Sequence, residues 1–438
     1  MTIFRLGILF FLVSSQLHAG NVETHLSNQE KEKKELVAKI YSLLIPSELK
    51  RSEKSAQIYP GKLYDVGGYR LHMFCTGDSK NGSPTILIES GAGGFSSDWI
   101  PIQLELSKRV RVCAYDRVGY GWSEEWSTLK NIQQLKNILP RTIDDHVKDL
   151  DRLLKQSDIR TPIVLMAHSY GGPISLAFEG QYSDLVKGLV LLDPHDDGAP
   201  MKDDLYTQEI ADSLKWLEKE KSPAGLEKWE AKLKEISQHI VSYEKKENQP
   251  QVLIEDLWIL IQALDRLKWT RANWSEWRAL HKSCAKVKEH PSPSLRNKVL
   301  AVITSDPSHL RSEGQTYLHM QTAKQSTLGR VYFAMGSSHN IPGERPDLVI
   351  RVVNQVLNSI EGKTLTSLKE EQLPQLKGPL RFFVDGELAE YVRIHEGKKE
   401  SNSNLNKFCQ NLGFGFKKQN GFGYFSRNGL KGYSVLCE

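Results

Sequence analysis

Val164-Leu165-Met166-Ala167-His168-Ser169-Tyr170-Gly171-Gly172 is an apolar run that stops at a serine flanked by small residues and passes into a helix-like sequence. That is the layout of a nucleophile elbow. A serine hydroxyl attacks poorly at neutral pH, so chemistry at such a residue needs its oxygen exposed on a sharp strand-to-helix turn. There a histidine can take the proton, and backbone N–H groups can receive a developing oxyanion. Small residues two positions either side of the serine permit the turn, and the first of them here is Ala167 in place of the usual glycine.

Working outward, short β-rich runs alternate with helical patterns: Tyr69 to Cys75, Thr85 to Glu89, Val110 to Tyr115, a helix over Ile143 to Leu154, Ile163 to Ala167, a helix over Pro173 to Gln181, and Gly188 to Leu192. Apolar runs separated by helices predict an α/β fold with a mostly parallel sheet covered on both faces. Residues 196–295 turn Lys/Glu-rich and helical, with Trp216, Trp229, Trp258, Trp269, Trp274 and Trp277 spaced along them. The alternation then resumes with Val299 to Ile303, Val331 to Ala334 and a helix over Pro346 to Leu357. A helical lid inserted between two strands of one sheet is the economical reading, its tryptophans mainly core residues of that lid.

A serine needs a base from elsewhere in the fold. His339 follows the run Val331 to Ala334 and precedes the helix opening at Pro346, which places it in the loop after the last strand, at the same sheet edge as Ser169. Two aspartates satisfy the chain order serine, acid, histidine. Asp306 follows Val299 to Ile303, and Asp193 ends the preceding strand in Leu191-Leu192-Asp193-Pro194. Asp306 is preferred, since the loop after the later strand is the commoner source of the acid in folds of this type, and Asp193 is the alternative. The oxyanion donors are assigned to the backbone N–H groups of Tyr170, after the nucleophile, and Ala92, in the turn Glu89-Ser90-Gly91-Ala92-Gly93-Gly94.

The chain has 438 residues, too long for one ordinary core and long enough for an enzyme, and with 39% hydrophobic and 25% charged residues it reads as a soluble globular protein. A net charge of +5 gives no argument for a nucleic-acid partner. Arg5, the apolar run Leu6 to Val13 and the segment Leu17-His18-Ala19-Gly20 form a signal-peptide layout, with cleavage expected after Ala19. The run is well short of the roughly 20 residues a spanning helix needs, so no stable membrane span is expected. Export to the periplasm or the exterior follows, where disulfides persist. Of five cysteines, Cys409 and Cys437 are the simplest pair to propose, and Cys284 is left over; Cys75 and Cys113 fall in predicted strands, where each also reads as a small buried hydrophobe. None has metal-ligand spacing.

Residues 20–59 read as an N-terminal lead-in, with an amphipathic stretch from Leu36 to Leu44 that suits a peripheral helix. From about Gln372 the strand-like Arg381 to Val384 and Tyr391 to Ile394, and the glycines from Gly413 to Gly432, predict a small β-rich module over 372–438.

Taken together, the glycine-rich turn at Ser90 to Gly94 with Trp99 after it, the segment Asp116-Arg117-Val118-Gly119-Tyr120-Gly121-Trp122-Ser123, the elbow at Ser169, Leu192-Asp193-Pro194 and the loop of His339 resemble the α/β-hydrolase fold superfamily over about residues 60–360. The resemblance implies an eight-stranded, mostly parallel sheet flanked by helices, a lid after the sixth strand (about 196–295), and a Ser-His-Asp triad that works without metal or cofactor. It also makes the strands of Cys75 and Cys113 neighbours, which allows a bond between them. Ala167 for glycine, and Ser90 where many relatives have histidine, depart from the pattern without removing a catalytic group. The activity implied is cleavage of a small-molecule or lipid-like carboxylic ester by an exported serine hydrolase. Amide or peptide cleavage, acyl transfer, and a catalytically silent binding protein of the same fold are the alternatives.

Overall fold

The computed structural model describes residues 24, 26–45, 58–78, 82–126, 139–157, 159, 162–195, 215, 219–220, 222–247, 249–289, 292–306, 315–334, 336–362, 424–427 and 430–433. The proposed signal peptide and most of the C-terminal module, including Cys409 and Cys437, lie outside them. In chain order the described elements are α1 (26–44), β1 (Lys62–Asp65), β2 (Arg70–Thr76), β3 (Thr85–Glu89), α2 (Ile100–Ser107), β4 (Val112–Tyr115), α3 (Ile143–Gln156), β5 (Ile163–His168), α4 (Gly171–Gln181) and β6 (Val186–Leu192). Then come α5 (Pro223–Glu244), α6 (Pro250–Leu264), α7 (Arg266–Glu289), β7 (Val299–Ser305), α8 (Gln315–Lys324), β8 (Leu328–Ala334), the single turn α9 (Ile341–Glu344) and α10 (Pro346–Ile360). Beyond these, β9 (Tyr424–Arg427) and β10 (Leu430–Tyr433) pair antiparallel.

Eight strands form one sheet in the order β1-β2-β4-β3-β5-β6-β7-β8. β1 and β2 are antiparallel to their neighbours, and every pair from β4 onward is parallel. Alternation along the strands explains the layering. Leu87, Leu165, Leu189, Leu191 and Val302 point to one face, where Val147 and Leu150 of α3 and Ile174 and Phe178 of α4 cover them. Ile86, Ile88, Val164, Met166, Val190 and Ile303 point to the other, against Ile102 and Leu106 of α2 and Val349 and Val353 of α10. With both faces dry, each such side chain contributes about 1.5–3 kcal/mol of burial, and the strands read as continuous apolar runs rather than as alternating ones. β1 breaks that rule. It is a short edge strand whose ends are exposed, and no apolar run announces it.

Local chemistry starts the helices where they are needed. Thr142 caps α3, accepting from the Asp145 N–H while the Asp145 carboxylate accepts from the Thr142 N–H at 2.9 Å, a reciprocal box. Ser222 caps α5 ahead of Pro223. Cys75 of β2 and Cys113 of β4 stand opposite each other in register and are joined by a disulfide.

Between β6 and β7 the described residues are helical, and two different kinds of packing hold them. Leu233, Ile236, Leu253, Leu257 and Leu260 of α5 and α6 are buried together with Val37, Ile40, Tyr41 and Leu44 of α1 and with Phe74, Phe95 and Tyr120. The amphipathic N-terminal stretch is therefore an integral wall of this third core, not a peripheral lead-in. α7 buries Leu280 and Cys284 in the first core and is fastened to the sheet domain by polar groups as well: Lys268 Nζ donates to the carbonyls of Gly121 and Ser123, Arg271 pairs with Glu125, and Ser275 Oγ donates to the Leu139 carbonyl. No helix among the described residues is long and apolar enough to cross a membrane.

Candidate active site

Chain connections leave β3 and β5, which are neighbours, toward opposite faces of the sheet: β3 leads through α2 and β5 through α4. The crevice at the carboxyl ends of two such strands is where open α/β sheets place ligands. Ser169 sits there, directly after β5, with φ of 50°, a left-handed conformation that costs a non-glycine residue about 1–3 kcal/mol and turns its side chain out of the strand. The turn is held from both sides. The Ser169 N–H donates to the Leu192 carbonyl at 3.0 Å, and its own carbonyl accepts from Gly172 and His195, both at 2.9 Å. A side chain at Gly171 would come within 2.4 Å of the Glu89 carbonyl, and one at Gly172 within 2.6 Å of Pro194 Cβ, so both glycines are required by space. Ala167 is fully buried in β5, paired with Glu89 and Leu191, where a methyl group packs in the sheet core.

His339, in the loop after β8, presents Nε2 2.9 Å from Ser169 Oγ, while its Nδ1 lies 2.6 Å from Asp193 Oδ2. A carboxylate can only accept, so Nδ1 carries the proton and Nε2 faces the serine hydroxyl as an acceptor. Asp193, almost wholly buried, has φ of 42°, and its other oxygen accepts from the Ser305 N–H and hydroxyl, both at 3.0 Å. Burial alone would raise this carboxyl. The His339 hydrogen bond, the nearby His319 and His339 rings and the Ser305 N–H outweigh it and hold it down to about 2.

The expectation that Asp306 partners His339 is corrected by this geometry. Register decides it: His168 of β5 pairs with Leu192 of β6, so Asp193 lands beside Ser169, one strand away. Asp306 follows Ser305, which pairs with Ala334 of β8, so it meets the beginning of the histidine loop and not His339 itself. Its N–H donates to the Ser337 carbonyl and its carboxylate accepts from the Gly336 N–H, both at 2.9 Å. Further braces on that loop come from Glu344, which accepts from Ser337 Oγ, Ser338 Oγ and the Ser338 N–H, and from His168, whose Nε2–H donates to the His339 carbonyl at 2.8 Å.

The turn holding Ala92 lies against the elbow. A Cβ at Gly91 would sit 3.2 Å from Ser169 Cβ and 2.9 Å from His168 Nδ1, and Gly93 has φ of 78°. Tyr170 begins α4 with its ring buried. Ser90, the other departure from the family pattern, accepts from Trp99 Nε1 through its hydroxyl at 2.9 Å. The Asp116 to Ser123 segment folds around the Asp116 carboxylate. Asp116 accepts from the Ser96 and Trp122 N–H groups and from His72 Nδ1, and a side chain at Gly121 would strike the same carboxylate at 2.3 Å. Those contacts make the spacing of the segment obligatory.

Sequence reasoning missed His319, which joins the ends of two strands by donating Nε2–H to the Pro194 carbonyl and contacting Thr304 Oγ1, both at 2.9 Å. It also missed Glu276 of α7, which lies in the stretch read as a Lys/Glu-rich helical lid. Glu276 is buried and pairs with Arg117. Among the described residues no group of three or more His, Cys, Asp or Glu side chains is placed to hold a metal ion.

Residues 84–242 match the family model of the α/β hydrolase fold, the architecture that the eight-stranded sheet and its elbow display. Similar curated proteins include the uncharacterized protein YqjL of Bacillus subtilis, 34% identical over 135 residues that make up 30% of this chain and 47% of that protein. A proline iminopeptidase of Saccharolobus solfataricus is 29% identical over 130 residues, 30% of this chain and 35% of that protein. The chain thus spans less than half the length of these relatives. Among solved structures, the enol-lactonase from Burkholderia xenovorans LB400 is 19% identical with a TM-score of 0.47, covering 68% of this chain and 100% of that one. A thermophilic esterase from Thermogutta terrifontis is 18% identical with a TM-score of 0.43, covering 67% of this chain and 94% of that one.

Proposed function

We propose that the protein is an exported serine hydrolase that cleaves carboxylic esters through Ser169, His339 and Asp193. The observation that carries the reading is the continuous hydrogen-bonded path from Ser169 Oγ to His339 Nε2 and from His339 Nδ1 to Asp193, at 2.9 and 2.6 Å. Ser169 attacks the acyl carbon as His339 takes its proton. The tetrahedral oxyanion is received by the N–H groups of Ala92 and Tyr170, and His339 returns the proton to the leaving alkoxide. Water then clears the acyl-enzyme by the same steps in reverse. Asp193 stays ionised throughout, fixing the tautomer and stabilising the imidazolium. A serine at the elbow argues against relatives that use an aspartate there. The aromatic side chains beside the oxyanion turn, among them Trp269 and Trp258, favour a small-molecule or lipid-like acyl group. Export is supported by the N-terminal sequence layout and by the Cys75–Cys113 disulfide.

The test is labelling of the purified protein with a fluorophosphonate probe, together with turnover of a chain-length series of p-nitrophenyl esters. Labelling and turnover should both disappear in Ser169→Ala. A folded wild-type protein that resists the probe would identify a silent, binding relative. Because one similar protein is a proline iminopeptidase, a prolyl-anilide substrate belongs in the same assay; amide turnover exceeding ester turnover would reassign the reaction.

A further inference from the structure

Arg117 is a buried cation whose guanidinium is divided between two carboxylates and two peptide carbonyls. Its Nη1 donates to Glu89 Oε1 at 2.8 Å and to the Ser90 carbonyl at 2.5 Å; Nη2 donates to the Gly91 carbonyl at 2.8 Å and to Glu276 Oε2 at 3.0 Å; Nε donates to Glu276 Oε1 at 2.7 Å. Glu89 ends the strand that leads into the oxyanion turn, and Glu276 comes from α7 of the insertion. Tyr115 donates to the second Glu89 oxygen and Tyr120 to Glu276 at 2.9 Å, so both carboxylates are oriented in turn. α7 also grips the turn two residues beyond Gly91, where Trp269 Nε1 donates to the Gly93 carbonyl at 2.9 Å.

In a trans peptide the C=O and N–H point in opposite directions, and there are no cis peptide bonds among the described residues. Fixing the Gly91 carbonyl toward Arg117 therefore fixes the Ala92 N–H away from it, and fixing the Ser90 carbonyl does the same for the Gly91 N–H. A cation on the carbonyl oxygen also withdraws electron density through the amide and strengthens its N–H as a donor. We infer that Arg117, held by Glu276 of the inserted helix, is a positioning residue that aims and polarises the oxyanion-hole peptide for the serine chemistry. This rests on the reading of Ser169 as nucleophile. It also makes α7 a fixed wall of the active site rather than a part of the insertion that opens.

The test compares Arg117→Lys and Glu276→Gln with the wild-type protein in ester kinetics and in affinity for a trifluoromethyl ketone that forms a tetrahedral adduct. Active sites are counted by fluorophosphonate titration, so misfolded material is excluded. Lysine keeps a charge but cannot span two carbonyls and two carboxylates. Arg117→Lys should lower kcat by about 10²-fold, the size of losing one oxyanion donor, and weaken the ketone in parallel, with KM within about twofold. Glu276→Gln should move both quantities the same way by a smaller factor, and it carries the test where Arg117→Lys does not fold. A lower melting temperature with unchanged kcat per titrated site and unchanged ketone affinity would overturn the inference and leave Arg117 as scaffold. Turnover that survives in Ser169→Ala would instead overturn the functional reading, and this inference with it.

Discussion

The loops after β6 and β7 leave the same edge of the same sheet, each with an aspartate immediately after its strand, yet the two carboxylates do different work. Asp193 is buried, turned into the left-handed region, and bonded to His339 Nδ1. Asp306 is partly exposed and ties its own loop to the start of the histidine loop through Ser337 and Gly336. Both satisfy the order serine, acid, histidine, so order cannot choose between them. Proximity does. β6 borders the strand that leads to Ser169, whereas β7 lies one strand further out, and adjacent strands are about 4.8 Å apart. The carboxylate that meets His339 is therefore selected by register and by backbone sign at one residue.

The sharpest way to break the comparison is to replace each carboxylate by its amide. Asp193→Asn keeps the shape but lets the imidazole settle in the wrong tautomer, and kcat for a short ester should fall on the order of 10⁴-fold. Asp306→Asn retains an acceptor for the Gly336 N–H and should leave kcat within a few-fold. Reversal of that order would return the acid to the later loop. In a Ser169→Ala background, Asp193→Asn should add almost nothing, since members of one catalytic unit do not contribute independently.

A second, smaller contrast is in acid stability. The folded-state value of Asp193 is depressed from 3.8 to about 2. The stabilisation it supplies is therefore complete above pH 4 and is lost as the pH falls from about 4 toward 2. Thermal melts of wild type and Asp193→Asn, followed by circular dichroism, should differ most near neutral pH and converge through that window. A gap that stays constant down to pH 2.5 would mean that the carboxylate draws no stability from its ionised contacts.

What could be read from the chain follows the same division. Thr85–Glu89, the strands around Ser169 and the helix at Pro346 were legible because an element covered on both sides is apolar throughout and ends in turn chemistry. The serine and histidine were legible because each follows such a run. β1 was not, being a short edge with no apolar period, and neither was the helix over 26–44 as a core element, since only its contacts with α5 and α6 reveal what its apolar face covers. Glu276 was hidden for a related reason: on a helix rich in Lys and Arg, nothing local shows that this carboxylate turns inward to meet Arg117 instead of facing the bases of its own helix. The choice between the aspartates depended on strand register, which pairs residues far apart in the chain and leaves no local mark.

The smallest expected effect concerns Asp306 as a brace. Truncation in Asp306→Ala removes the acceptor for the Gly336 N–H, a hydrogen bond at a partly exposed site worth about 1 kcal/mol, while the backbone bond from Asp306 to the Ser337 carbonyl is untouched. A domain of roughly 300 residues should lose about 1–2 °C in melting temperature for that amount. The histidine loop keeps its other supports, Glu344 and His168, so His339 should hold its place and kcat should fall no more than about threefold. A loss in kcat as large as that of Asp193→Asn, at a melting temperature only slightly lowered, would show that the brace transmits to the imidazole and that the two aspartates are functionally one unit.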